Sequence, residues 1–235
     1  MASKSKPLNP AIHAVSGDRS ADRTRERLIE VGTELFATRG LDGTTIRDLA
    51  EAADVNVAAV HYHFGGKEQL YAAVVDRVFA AMKDLREFLE GELDSAKAAG
   101  GQTAAAASLR RCIRAFLAML YRDNHPSWGG AFLQRESIEP TAAMQDVLDR
   151  FILPAWRTAR SLLELIRPDL ADSDEIRFIA SSIVGQCLYY QQSLPIVLAT
   201  HDIQEVTPAF LETVASHISQ FSLCALMSGP REEIL

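Results

Sequence analysis

The chain carries three cysteines, Cys112, Cys187 and Cys224, far apart and each inside an apolar helical run. No CxxC pair or Cys/His cluster forms from them, so a zinc site has no support, and reduced, buried thiols are expected. No adjacent carboxylate pair, His/Cys arrangement, metal spacing or glycine-rich phosphate loop supports chemistry. A Ser-His-Asp set can be assembled only from distant residues. The expectation is therefore no catalysis, no metal and no cofactor. Polar groups do gather in one short segment, Asn56-Val57-Ala58-Ala59-Val60-His61-Tyr62-His63. On a helical wheel at about 100° per residue, Val57, Ala58, His61 and Tyr62 share one side, while Ala59, Val60 and His63 lie toward the other. Small residues at the start of the first arc would let a helix sit deep in a major groove, and its polar end could reach phosphates or base edges. On spacing alone, a small bundle with surface aromatics fits equally well.

The elements that must hold this segment follow from periodicity and caps. Leu28, Val31, Leu35 and Phe36 repeat at helical spacing from Asp22 to Thr38, and Gly40 closes that helix. After Gly43, Thr45 with Asp48 has the form of a capping box opening a second helix, whose apolar face is Ile46, Leu49, Ala50 and Ala53. Val55-Asn56 makes the turn, with Asn56 as N-cap of a third helix through His63. A fourth runs from Lys67 to about Leu89. Gly100-Gly101 marks a joint, and a fifth helix covers about Ala105–Arg122. Residues His125–Gly130 read as irregular and Phe132–Ile138 as a short helix. A long helix follows from Thr141 to Ile166, bent at Pro154. Asp172 with Glu175 caps the next, which Pro195 stops. Thr207-Pro208 opens the last helix, to about Met227. The fold class expected is all-α: about nine helices and no confident strand.

Nearly half the residues are hydrophobic and about a quarter charged, an ordinary globular composition. The net charge of −7 argues at first against a nucleic-acid partner. Its distribution weakens that objection, because residues 1–27 hold six Lys/Arg against three Asp/Glu. Charge beyond about 8–10 Å is screened, so a local basic arm can serve phosphates on an acidic protein. No apolar run reaches the ~18 residues of a membrane span, and residues 1–20 lack a signal-peptide core. A cytoplasmic protein without membrane contact is expected.

Residues Leu28–Val78, LIEVGTELFATRGLDGTTIRDLAEAADVNVAAVHYHFGGKEQLYAAVVDRV, resemble the DNA-binding domain of TetR-family regulators over its whole length. The LF-x-x-x-G end of helix one, Thr-Ile-Arg-Asp-Leu-Ala of helix two, and Tyr-His-Phe followed by Lys67-Glu68 fall in register. The resemblance implies phosphate contacts from Thr45, His61, Tyr62, His63 and Lys67. It also implies base-edge or nearby contacts from Arg47, Val57, Ala58 and Ala59, with Asn56 beside them. Departures matter: Asp54 stands where the family commonly has the turn glycine, which would either strain the turn slightly or place Asp in the left-handed region. His61 replaces the usual tyrosine, and Val57 a more usual polar residue. Further along, HPSWGG, Arg135-Glu136, Glu139-Pro140-Thr141 and Gly185-Gln186-Cys187 resemble the CecR (YbiH-like) branch.

The resemblance implies a flexible arm over 1–20, a helix-turn-helix domain over 21–66, and an effector-binding and dimerisation domain over 67–235, with helix four as connector. Partners implied are pseudo-palindromic double-stranded operator DNA, a second copy of the chain and a small-molecule effector. For the homodimer, one expected stripe is Ile176, Ile179, Ile183, Cys187 and Leu194, and the other is Phe210, Val214, Ile218, Phe221 and Ala225. Both stripes could equally face the monomer's own core. Expected effector walls are Phe116, Met119, Leu120, Trp128, Phe132, Trp156 and Tyr189, with His125, Gln134, Arg135, Glu136, Gln186 and Tyr190 as polar candidates. Arg135 reads equally as part of a solvated face and His125 as a helix end. The function expected is a repressor released by a small, largely apolar effector. A TetR-like activator or a helical protein-binding adaptor remains an alternative.

Overall fold

A computed structural model describes residues 11–122, 125–171 and 173–227, with side chains from residue 21 onward except at 81, 122, 125 and 126. The chain is all-α and divides into two compact units after Arg77. The first holds α1 (Ala11–Arg39), α2 (Ile46–Ala52), α3 (Val57–Phe64) and the start of α4 (Lys67–Ala99). The second holds the rest of α4, α5 (Gly101–Leu120), α6 (Trp128–Ile138), α7 (Ala143–Val147), α8 (Leu153–Ile166), α9 (Asp174–Gln192), α10 (Leu194–Thr200) and α11 (Pro208–Met227).

In the first unit the apolar positions read from the sequence close into one core. Leu28, Phe36, Leu49, Ala53, Val60 and Leu70 are all essentially sealed from solvent. α1 begins at Ala11, so the stretch 11–20 is helix rather than an arm, and residues 1–10 lie outside the described residues. At the end of α1, Gly40 donates its N–H to the Phe36 carbonyl in the left-handed region, φ 74°. Gly43 must be glycine: a Cβ there would stand 2.2 Å from the Arg39 carbonyl oxygen. Buried Thr44 satisfies its hydroxyl on the Gly40 carbonyl at 2.8 Å.

In the second unit α5 is the central helix, packed by α8, α9 and α11. Leu109, Ile113 and Leu117 meet Leu162, Ile166, Ile176, Val214 and Ile218 in one cluster. Polar clamps fix the outer edges. Arg111 pairs with the Glu92 carboxylate through two bonds of 2.8 and 2.6 Å, and this pairing holds the Glu92 carboxyl below the usual carboxylate range. Arg167 donates to the Leu226 carbonyl at the end of α11.

Several boundaries depart from the sequence reading: α4 runs on to Ala99 rather than stopping near Leu89, and α5 starts at Gly101 rather than near Ala105, directly after the Gly100 joint. His125–Pro126 pair antiparallel with Tyr121–Arg122 in a two-residue ladder, after which Ser127 caps α6 by accepting the Gly130 N–H. α6 thus starts at Trp128, earlier than Phe132, because a helix N-terminus tolerates Gly129-Gly130 once the cap is in place. The bend before Pro154 is a π-helical turn, Leu148–Ile152, in which the Leu153 N–H reaches the Leu148 carbonyl. Such a wide turn accommodates a proline ring that cannot donate and would otherwise crowd the carbonyl four residues back. Pro195 does not stop a helix. α9 has already ended at Gln192, and Pro195 sits in the first turn of α10, where a missing N–H has no intrahelical partner to lose. The N-cap of α9 is Ser173, without a side-chain cap bond, whereas Asp172 lies outside the described residues.

Candidate nucleic-acid interface and apolar cavity

The helix-turn-helix is built as its caps demand. The Thr45 hydroxyl accepts the Asp48 N–H at 3.1 Å, and the Asp48 carboxylate in turn accepts the Thr45 N–H at 2.8 Å and hydroxyl at 2.6 Å. These bonds, with Arg39 nearby, hold the Asp48 carboxyl below its ordinary range. Asp54 takes the left-handed conformation, φ 51°, that the family's usual glycine would occupy. The Asn56 side-chain oxygen then accepts the Ala59 N–H at 2.8 Å and starts α3, which leaves the amide NH2 of Asn56 to solvent. Gly65 ends α3 in the left-handed region, donating to the His61 carbonyl.

α3 has two faces. Val60 is sealed against the core, and Ala59 and His63 are half-buried. Val57, Ala58, His61 and Tyr62 are exposed, Tyr62 to 81%. Arg47 on α2 and Thr45 at its cap are exposed as well. Not every group the resemblance nominates is free. His61 Nδ1 donates to the Gly65 carbonyl at 3.1 Å, so only its Nε2 edge faces outward. The Thr45 hydroxyl hydrogen is engaged by Asp48. Lys67 is half-buried, and its Nζ donates to the Leu41 carbonyl at 2.8 Å, which keeps two of its three N–H bonds for anything else. His63 meets the Tyr62 ring edge-on at 5.0 Å. On its other side it borders an open groove lined also by Thr24, Glu51, Asp54 and Asn56. Two carboxylates in that groove repel phosphate, so the side of α3 suited to an anionic duplex is the Val57–Ala58–His61–Tyr62 arc.

The second unit encloses an apolar cavity of about 300 Å³ between α4, α5, α6, the α7–α8 segment and α9. Phe116, Met119, Leu120 and Trp156 line it as the sequence suggested, with Gln134 among the polar groups. The other nominated residues do not. Trp128 points to solvent, Phe132 is sealed in the core away from the cavity, and Arg135 pairs with Glu139. Gln186 bonds back to the Ser182 carbonyl on the outer side of α9. Tyr189 is largely exposed, and Tyr190 belongs to an aromatic group with His201 and Phe210. Buried Glu136 accepts the Thr141 N–H and hydroxyl, a capping role. The His125 side chain lies outside the described residues. What sequence reasoning missed is Gln191, one α9 position on, together with Ser137, Met144 and Phe151. A glutamine on an otherwise apolar helical stripe was the available signal.

The expected dimer stripes need a correction. Ile176, Ile183, Cys187, Val214 and Ile218 are buried in the monomer's own cluster, and Ile179, Leu194 and Phe210 pack against it. Burial raises the Cys187 thiol to about 12, and that of Cys112 likewise. Only Phe221 and Ala225 remain on the outside. The more apolar stripe of each helix is its core side within one copy. The outer faces carry Phe178 and Tyr189 on α9, and Phe221 and Met227 on α11.

This fold, with its exposed α3 and its cavity-bearing second unit, defines a helix-turn-helix regulator of transcription. Residues 28–74 match the family described as bacterial regulatory proteins, tetR family. Residues 105–226 match the C-terminal domain of the HTH-type transcriptional dual regulator CecR. The chain belongs to the TetR family of DNA-binding transcriptional regulators, in the group with the CecR-type C-terminal domain. The HTH-type transcriptional dual regulator CecR of Shigella flexneri is 26% identical over 220 residues, covering 89% of this chain and 94% of that protein. Among solved structures, the regulator PfmR from Thermus thermophilus has a TM-score of 0.60 at 18% identity, covering 89% of this chain and 98% of its own. AmtR of Mycobacterium smegmatis has a TM-score of 0.59 at 18% identity, covering 86% and 89%. Both share the fold. No helix among the described residues is long and apolar enough to cross a membrane.

Proposed function

We propose that two copies of the chain bind a pseudo-palindromic operator through the outer face of α3, and that the bound state represses transcription until a small, largely apolar effector enters the cavity. The observation that carries the DNA reading is the division of α3 itself. Val60 anchors the helix in the core, while Val57, Ala58, His61 and Tyr62 are presented outward with Asn56 and Arg47 beside them. Small side chains at the start of α3 permit close approach to base edges, and methyl contacts to thymine suit Val57 and Ala58. Tyr62, His61, Thr45 and Lys67 serve phosphates, the last two once their present bonds are shared or exchanged, whereas His63 borders the Glu51 and Asp54 carboxylates and is assigned none.

The second copy is needed because half-sites lie about one helical turn apart. Its contact is assigned to the outer faces of α9 and α11, where Phe178 and Phe221 stand exposed. For release, α4 supplies Leu85 and Leu89 to the cavity wall and is itself the helix that follows α3 in the chain. The name of the Shigella flexneri relative, a dual regulator, favours activation at some promoters as a second reading. The chain is assigned no enzymatic role.

The test is binding to a duplex selected by the chain from random-sequence DNA, followed by fluorescence anisotropy at graded salt. Phosphate-driven binding must weaken steeply as salt rises. Binding that ignores salt, or a chain that selects no sequence, removes the proposal.

A further inference from the structure

The cavity's chemistry narrows what can occupy it. None of its lining residues is Asp, Glu, Lys, Arg or His. Charged groups on the surrounding elements have partners of their own: Glu136 is held by Thr141, Arg150 lies over the Phe79 ring at 4.2 Å, and Glu92 pairs with Arg111. The two thiols in the wall, Cys112 and Cys187, are held neutral by burial. A carboxylate or ammonium entering such a space would lose its hydration with no counter-charge to replace it.

Against this apolar lining, Gln191 stands out. It is only 5% exposed, it lines the cavity, and its carboxamide has no hydrogen-bond partner among the described residues. A buried amide normally finds a partner in protein, water or ligand, so one left facing a cavity is placed to meet a ligand's polar group. α6 is shaped around it. At Gly130 a Cβ would stand 2.6 Å from Gln191 Nε2, so the glycine keeps the space in which the carboxamide lies.

We propose that the effector is an uncharged molecule, apolar over most of its surface, whose single amide- or carbonyl-type group hydrogen-bonds to the Gln191 carboxamide. This rests on the reading of the cavity as the effector site. A carboxamide both donates and accepts, so it matches a primary amide twice and a ketone or ester once. Of the other polar lining residues, Ser137 bonds back to the Leu133 carbonyl and Gln192 is exposed, and most of the remaining wall selects for shape and apolarity.

The test uses four probes of one shape: phenylbutyramide, phenylbutyrate, phenylbutylamine and butylbenzene, near neutral pH. Binding is followed by fluorescence in a Trp128→Phe background, which leaves Trp156 in the cavity wall as the one indole. The amide is expected to bind about a hundredfold tighter than either charged probe. Gln191→Leu should weaken the amide about five- to tenfold while leaving butylbenzene unchanged or tighter. Gly130→Ala, which displaces the carboxamide without altering it, should reproduce that loss and keeps the test alive should Gln191→Leu fold poorly. A charged probe binding as well as the amide overturns the inference, as does a folded variant of either kind that binds the amide like the native chain. If no probe perturbs Trp156, the cavity reading itself fails, a result distinct from either of those.

Discussion

Tyr62→Phe isolates the outer face of α3 from the fold that carries it. The ring stays in place, with its edge contact to His63 at 5.0 Å, and only the hydroxyl is lost. At 81% exposure this hydroxyl makes no buried contact, so stability should change by less than about 0.5 kcal/mol. On DNA the same hydroxyl would donate to a phosphate, and a hydrogen bond to a charged group contributes about 1.5–3 kcal/mol. The low end corresponds to about a tenfold loss per half-site and about a hundredfold for a two-fold dimer. A neutral hydroxyl displaces no counterion, so the dependence of affinity on salt should keep its slope. Anisotropy on the selected duplex measures both quantities, and circular dichroism measures the unfolding midpoint. Unchanged affinity in a stable Tyr62→Phe variant refutes the placement of this face on DNA. A lowered midpoint shows instead that the group is structural.

Leu49→Ala should cost about 2–5 kcal/mol of stability in denaturant titration, because a fully buried side chain at the α1–α2–α3 contact is removed; a loss under about 1 kcal/mol contradicts the core described. Phe221→Glu should abolish self-association in sedimentation equilibrium and leave a folded monomer, since the side chain is exposed in one copy; a dimer that persists moves the interface elsewhere. The Asp48 carboxyl is held low first by the Thr45 hydroxyl, then by the Thr45 N–H, then by Arg39. Its contribution is therefore complete above its unfolded value, about pH 4, and fades as pH falls through the folded value. The unfolding midpoint should drop in acid, and Asp48→Asn should flatten part of that drop; identical acid profiles count against the capping box as a source of stability.

The helix-turn-helix was legible because its signals are local. Thr45, Asp48 and Asn56 satisfy backbone groups within three residues of themselves, and Asp54 announces a left-handed turn by standing where glycine is usual. The second unit was less legible because its decisions are long-range. A stripe such as Ile176–Ile183–Cys187 states that one side of α9 is buried, but not whether the burial is against α5 or against a second copy. Trp128 and Tyr189 are aromatic and near the cavity in sequence, yet they turn outward because α6 and α9 offer other side chains to it. Gln191 escaped notice for the opposite reason: its polarity suggests a surface, and although it continues an apolar stripe of α9, the close approach of Gly130 on α6 is what shows that it is enclosed.

Hydroxyl-radical footprinting on the selected duplex bears most directly on the reading of α3. Two protected patches on one side of the duplex, with centres about one helical turn apart, are the expected pattern, and Tyr62→Phe should weaken both equally. A single patch, or protection that survives when Val57, Ala58, His61 and Tyr62 are all replaced in a folded chain, means that this surface does not read DNA.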